Sequence, residues 1–210
     1  GGRHCRPFLL LEIQSMNPLV TAIAPIVVML AAQSPGQTQE TTARRYELPN
    51  LDSLELVVPP AWDETVDQPV DGGPPTIQFR PREGAAFEIY ITPDWPNAPD
   101  EAVPGPETLR ETVRGEAERI RELPRGEKPV EGNPEIRRLQ GASGVGFYFV
   151  ATDRAPQPEE FRYMNQGALE VGDLTVTFTI LTNEGQEAVV EEALAMLKGA
   201  VHRDTGLDQR

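Results

Sequence analysis

Residues that support catalysis or bind metals are scarce in this sequence. The 210 residues include two histidines, His4 and His202, and one cysteine, Cys5. A hydrolytic triad needs a histidine base beside its nucleophile, and a zinc site needs several His or Cys ligands. His4 and Cys5 lie in a segment that we expect to be removed, and His202 lies beside Arg203 at the end of a predicted helix. We therefore expect no catalytic residue, no metal site and no cofactor.

A glycine-rich stretch, residues 141–146 (GASGVG), is the motif closest to a catalytic signature. A serine nucleophile elbow needs glycine two residues to either side of Ser143, but Val145 occupies the second position. A dinucleotide-binding loop lies between a strand and a helix, whereas predicted strands flank this stretch on both sides. The pattern therefore predicts a hairpin turn.

Carboxylates concentrate in two proline-rich loops, residues 61–75 and 93–105. The first contains Asp63, Glu64, Asp67 and Asp71, and the second contains Asp94, Asp100 and Glu101. Their spacing does not match a calcium-binding loop, which needs converging oxygen ligands. Three interpretations stay open: solvated loops, weak calcium binding, or an acidic docking surface for a basic partner.

Aromatic and polar residues in loops and at strand breaks suggest a ligand or partner surface. Trp62 and Trp95 lie in the two acidic loops, where tryptophan either anchors an interface or covers the end of a core. Polar Asn165 interrupts an apolar alternation, and such a break often marks a bulge or a site. The candidate surface comprises Trp62, Trp95, Arg154, Arg162, Asn165 and Gln166. A threonine face (Thr175, Thr177, Thr179) is either an uncovered sheet surface or a ligand-facing one.

The charge of the chain limits its partners. Nineteen Lys and Arg residues stand against 33 Asp and Glu residues, so the net charge is −14. Nucleic acids and anionic lipids attract basic surfaces, so neither is an expected partner. We expect a protein partner or a small ligand instead.

The N-terminal segment resembles an export signal. An apolar run at residues 19–32 is shorter than the roughly 20 residues that span a bilayer, and it ends in small residues suited to cleavage. We predict a signal peptide over residues 1–32, with Met16 as a candidate start, and a periplasmic or extracellular mature chain without stable membrane insertion. A membrane anchor and a buried helix remain alternatives. Residues 33–45 read as a flexible linker and 204–210 as a disordered tail.

Residues 46–203 predict a single α+β domain. Apolar patterns predict strands at 54–58, 76–80, 87–92, 134–141, 145–152, 161–171 and 174–182. One helix begins at Pro106 and buries Leu109, Val113, Ala117 and Ile120. A second follows Asn183, with Val190, Leu194, Leu197 and Val201 on its apolar face. We expect a largely antiparallel sheet of six to seven strands, with Val145–Thr152 at its centre and two amphipathic helices packed on it in an α/β/α sandwich.

The strand that leads into Pro59-Pro60-Ala61-Trp62, the hairpins and the C-terminal helix together resemble the PsbP/Mog1-like α/β/α sandwich. The segments 146–156, 166–181 and 193–200 also resemble exported bacterial proteins of this shape. The resemblance covers residues 46–203 and implies a non-enzymatic binding or accessory module that assists a periplasmic or envelope complex. Two alternatives remain: a carboxylate-dependent enzyme acting on an envelope substrate, and a small-ligand-binding protein.

Overall fold

Strands and two helices account for most of the chain that the structure describes. The computed structural model describes residues 42–49, 53–70, 72–95, 103–122 and 135–203, all of which belong to one unit of the chain that begins at Thr38. The predicted signal peptide and the predicted tail at 204–210 lie outside the described residues. The order is β1 (Thr42–Glu47), β2 (Ser53–Val58), β3 (Trp62–Asp67), β4 (Thr76–Pro81), β5 (Glu88–Asp94), α1 (Pro106–Glu122), β6 (Arg137–Gln140), β7 (Val145–Thr152), β8 (Tyr163–Val171), β9 (Leu174–Thr182), α2 (Glu187–Lys198) and β10 (Val201–Arg203).

Seven strands form one antiparallel sheet in the order β3-β4-β5-β9-β8-β7-β6. The hairpin between β8 and β9 turns at Gly172, whose φ of 60° is a conformation that glycine adopts without strain. A second antiparallel sheet contains three strands in the order β1-β2-β10. The predicted α+β class, with a seven-stranded antiparallel sheet and two helices, is confirmed.

The two faces of the large sheet are covered differently. On one face, the four predicted apolar residues of α1 pack against Phe147 and Phe149 of β7 and Ala168 of β8. On the other face, α2 and the three-stranded sheet enclose the main core, to which β9 contributes Val176 and Ile180. Helix α1 contacts β7 and β8. Among the described residues, its contacts are therefore concentrated on one half of this face, and no described helix packs on the half formed by β4, β5 and β9.

Three short strands correct the predicted element boundaries. Strand β3 lies within the predicted loop 61–75. It escapes an alternation search because only Trp62 of its six residues is buried, as suits an edge strand. Strand β1 includes residues 42–45, which the sequence predicts to be part of the linker, and it too buries a single residue, Tyr46.

The C-terminal correction concerns residues 201–203. Helix α2 ends at Lys198, and Val201, His202 and Arg203 pair with β2 instead of continuing the helix. Val201 follows Leu197 at helical spacing, which explains the wrong assignment. Strand β7 is also not central: it lies next to the edge strand β6, although both of its faces are covered.

Candidate functional site

A groove forms where α1 stops covering the large sheet. It encloses about 340 Å³ between α1 and the open strands β5 and β9. The groove combines an apolar floor with hydroxyl, amide and carboxylate groups, contributed by Tyr90, Thr92, Thr112, Val113, Glu116, Phe149, Gln166, Gly167, Ala168, Thr177, Phe178 and Thr179. We call it the α1 groove. Thr177 and Thr179 belong to the predicted threonine face, and Thr177 is exposed.

Three hydroxyl groups of the α1 groove donate their protons to the protein itself. Thr177 Oγ1 donates to the carbonyl oxygen of Thr92 at 3.2 Å, and Thr112 Oγ1 donates to that of Thr108 at 2.9 Å. Tyr90 donates to the Glu88 carboxylate at 2.5 Å. Carbonyl and carboxylate oxygens only accept hydrogen bonds, so the direction of these three bonds is fixed. These hydroxyls therefore offer lone pairs, not protons, to a ligand.

Glu116 is the carboxylate of the groove and stays ionised. Arg119 donates to both of its oxygens, with 2.9 Å between Arg119 Nε and Glu116 Oε2, and this hydrogen bonding lowers the pKa of Glu116 despite partial burial. Gln166 Nε2 adds a longer contact of 3.4 Å to Glu116 Oε1. A carboxyl group with a lowered pKa is a poor general acid at neutral pH. Glu116 is therefore suited to accepting hydrogen bonds.

Tyr90, opposite Glu116 in the groove, stays neutral. Burial and its hydrogen bond to Glu88 raise the pKa of Tyr90 above the usual value for a phenol. The side-chain amide of Gln78 lies 2.9 Å from its hydroxyl oxygen. These two contacts fix the position of the Tyr90 hydroxyl on the sheet.

A second groove lies on the opposite face, between α2 and strands β6 to β8. It encloses about 510 Å³ and combines apolar walls with charged and amide groups, contributed by Arg137, Tyr148, Val150, Tyr163, Asn165, Thr182, Asn183, Gln186, Glu187, Val190, Glu191 and Leu194. We call it the α2 groove. Val190 and Leu194 pack against the main core, as predicted, but they are only partly buried because they also line this groove. The fully buried side of α2 carries Ala193, Met196 and Leu197.

The predicted polar patch does not form a single surface. Asn165 and Gln166 are consecutive residues of β8, so their side chains point to opposite faces of the sheet. Asn165 lines the α2 groove and Gln166 lines the α1 groove. Arg154 lies in the loop after β7 and lines neither groove.

Arg162 lies beside the α2 groove and is held by its neighbours. Its backbone N–H donates to Asn183 Oδ1 at 3.1 Å, and its guanidinium lies 5.9 Å from the ring centroid of Tyr163. Its Nη1 is 3.6 Å from Glu184 Oε2. The side-chain Nε is buried without a hydrogen-bond partner among the described residues. Arg162 and Asn165 are therefore the two members of the predicted patch that lie on the same side of the sheet as α2.

The predicted pair of tryptophans does not form a rim. Trp62 is 2% exposed and packs 5.3 Å from Phe87 and 6.0 Å from Phe79, so it belongs to the core and cannot anchor a partner. Trp95 is partly buried and directly follows the last residue of β5. Trp62 instead packs on Phe87, which directly precedes the first residue of β5. The two tryptophans therefore lie at opposite ends of β5.

Sequence reasoning missed the helix side of the α1 groove. Thr112 and Glu116 fall on the polar side of an amphipathic helix, a pattern that indicates solvent. The order of the strands in the sheet, together with the position of α1 on β7 and β8, shows that the helix ends its contacts before β5. The threonine face of β9 and Gln166 were the signals of this site in the sequence.

No group of three or more His, Cys, Asp or Glu side chains among the described residues is arranged to hold a metal ion. Within the same residues, no helix is long and apolar enough to cross a membrane.

No protein family matches this sequence, and no curated protein is significantly similar to it. The resemblance to the PsbP/Mog1-like sandwich therefore stays a prediction.

Proposed function

We propose that this chain is an exported, non-enzymatic binding or accessory module and that the α1 groove is its recognition site. The observation that supports this proposal is the half of the large sheet that no described helix covers, where exposed Thr177 and half-buried Thr179 line a groove beside α1. A polar groove with an apolar floor is the usual form of a specific binding site.

The chemistry of the groove favours recognition over catalysis. Glu116 is paired with Arg119 and ionised, and Tyr90 is neutral and bonded to Glu88. A carboxylate-dependent enzyme needs an acid with a raised pKa, and Glu116 has a lowered one. The groups that line this groove are fixed in one protonation state near pH 7, which suits a surface that binds without transferring protons.

The hydrogen bonds of the groove also favour one class of ligand. Because Thr112, Thr177 and Tyr90 direct their protons into the protein, these three hydroxyls and the Glu116 carboxylate present acceptors to a ligand. Arg119 neutralises the charge of Glu116. The preferred partner is therefore a neutral surface or ligand rich in N–H or O–H donors, and an anionic one is disfavoured.

Export is the second part of the proposal and rests on the apolar run at residues 19–32. It predicts that the mature chain starts near Gln33. The linker then separates the folded unit from the cleavage site, and the partner is a component of the periplasm, the envelope or the medium.

Chemical crosslinking in the native host tests both parts of the proposal. Thr177→Arg places a long cationic side chain in the groove, and Thr65→Arg is its matched control. Both threonines are exposed, and Thr65 lies on the same face of the sheet, in register with Gln78, Tyr90 and Thr179, but on the edge strand β3. Mass spectrometry of the recovered chain identifies both the crosslinked partner and the N-terminus.

The expected result is a recurrent partner that is lost from Thr177→Arg and kept by Thr65→Arg, together with a mature chain that begins near Gln33. Equal recovery of the partner by both variants contradicts the assignment of the α1 groove. A recovered chain that retains residues before 33 contradicts export.

A further inference from the structure

The charged residues that line the α2 groove differ in whether another side chain compensates their charge. Arg137 lies beside Glu135, with 3.4 Å between Arg137 Nε and Glu135 Oε2. Glu187 and Glu191 also line the groove, and neither carboxylate forms an ion pair or a hydrogen bond with another described residue. In this part of the chain, the groove therefore presents two carboxylates without a cationic partner.

These two carboxylates belong to a mixed side of α2. Glu187, Val190, Glu191 and Leu194 occupy positions i, i+3, i+4 and i+7 of the helix, which places them on one side of it. Val190 and Leu194 are partly buried against the main core, whereas both glutamates are exposed. A ligand in the groove therefore meets apolar groups and carboxylates on the same side of one helix.

Aromatic and aliphatic side chains form the sheet side of the groove. Tyr148 and Val150 on β7 and Tyr163 on β8 are half-buried lining residues. The ring of Tyr148 packs 6.4 Å from that of Phe178, and the guanidinium of Arg162 lies 5.9 Å from the ring centroid of Tyr163. The faces of aromatic rings attract cations. The sheet side therefore suits an apolar body that carries a positive charge.

The other polar groups around the groove do not reverse its charge. Arg162, which lies beside the groove, has its Nη1 3.6 Å from Glu184 Oε2. The remaining polar lining residues other than the tyrosines are uncharged: Asn165, Thr182, Asn183 and Gln186. The lining is therefore net negative, and charge complementarity favours a cationic ligand.

We propose that the α2 groove is a second binding site, for a small organic cation that carries an ammonium group on an apolar body. Val150, Val190 and Leu194 enclose the body, and the ammonium group donates to Glu187 and Glu191. The volume of about 510 Å³ falls in the range of small-molecule sites. The site lies on the opposite face of the sheet from the α1 groove, so it does not depend on the function proposed above.

Three probes with the same phenethyl body test the ligand class. Phenethylammonium is cationic, phenethyl alcohol is neutral and hydrocinnamate is anionic. Methyl resonances of Val150, Val190 and Leu194 in the full chain report binding by NMR. We expect saturable shifts with phenethylammonium, about tenfold weaker binding of the alcohol, and still weaker binding of hydrocinnamate. The absence of saturable shifts with phenethylammonium, or equal affinity for it and the alcohol, overturns the proposal.

Two variants of adjacent residues locate the charge that matters. Glu191→Gln removes a carboxylate from the groove, and Glu192→Gln makes the same change of net charge at an exposed residue of α2 that does not line it. We expect phenethylammonium to bind about threefold more weakly to Glu191→Gln and unchanged to Glu192→Gln. Binding of the alcohol stays unchanged in both variants. Equal losses of phenethylammonium binding mean that the net charge of the chain attracts the cation, and they overturn the proposal.

Methylammonium tests the apolar half of the proposal, because it carries the charge without the body. We expect no saturable shift of the same methyl resonances at concentrations at which phenethylammonium saturates the groove, since the aromatic body supplies the buried apolar area. Equal affinity for methylammonium and phenethylammonium means that the groove is a simple cation site, and it overturns the proposal.

Discussion

At the scale of single residues, burial and the face of the sheet on which a side chain lies decide roles that the residue type leaves open. Trp62 and Trp95 look equivalent in the sequence, yet one is a core residue and the other lies at the far end of β5. Asn165 and Gln166 look like one polar patch, yet they face opposite grooves. Because successive side chains of a strand point to opposite faces, the predicted strand already implies that Asn165 and Gln166 face opposite sides of the sheet. No sequence pattern distinguishes a buried tryptophan in a short edge strand from one in a loop.

Tyr46 provides a test of electrostatics at this scale. It is buried, its hydroxyl donates to Glu64, and Arg44 pairs with the same carboxylate at 2.8 Å. Burial, followed by the contact with Glu64, raises the pKa of Tyr46 well above its usual value. Between the unfolded pKa of about 10 and the folded pKa, the folded state binds more protons. The stabilisation is therefore complete below about pH 10 and decreases as the pH rises further.

We expect the free energy of unfolding to fall as the pH rises above about 10, and to fall less steeply in Tyr46→Phe. Urea denaturation at several pH values measures both slopes. At pH 7 the variant loses about 1 kcal/mol because Glu64 loses a hydrogen bond. Identical slopes for the two proteins above about pH 10 would show that Tyr46 ionises equally in both states.

At the scale of elements, the sequence predicts regular, buried segments well and short, exposed ones poorly. The predictions match strands β7 and β9 and the buried residues of α1. These segments have long apolar patterns because they pack against the core. Strands β1, β3 and β10 pair at the margins of sheets and bury few side chains, so they have little pattern to detect.

The close approach of β7 and β8 explains why residue 167 is a glycine, which the sequence alone does not predict. A Cβ added at Gly167 would lie 2.2 Å from the carbonyl oxygen of Phe147 and 2.5 Å from Cβ of Tyr148, whereas one added at the exposed helical Gly115 would meet nothing within 4 Å. Gly167→Ala should therefore destabilise the protein by about 3 kcal/mol. Gly115→Ala should stabilise it by about 1 kcal/mol, because alanine favours the helix. Urea denaturation measures both changes, and effects of the same sign would contradict this account.

Gln186 tests the connection between α2 and the loop before β5. Gln186→Ala removes the hydrogen bonds to Asn183, Ala85 and Ala86, and we expect a loss of about 2 kcal/mol in the free energy of unfolding. Gln140→Ala is the control, since its exposed amide contacts Gly141 and Gly144 at 3.4 and 3.3 Å. Its effect should stay within about 0.5 kcal/mol. Equal losses in the two variants would show that Gln186 has no special role.

At the scale of the whole molecule, the fold class follows from the sequence but the grooves do not. Alternating strands and amphipathic helices predict layers of helix and sheet. In the part of the chain that the structure describes, the α1 groove exists because α1 packs mainly on β7 and β8 of a seven-stranded sheet. That outcome depends on strand order, since β9 lies between β5 and β8, and strand order is a long-range property that local patterns do not encode.

The central claim, that the α1 groove is the recognition surface, is tested most directly by a photo-crosslinking amino acid placed singly at Thr177 or at Thr65 in the native host. Both positions are exposed and face the same side of the sheet, but only Thr177 lines the groove. The account predicts a discrete adduct from Thr177 and none from Thr65. Adducts of equal yield from both positions, or an adduct from Thr65 alone, would contradict it.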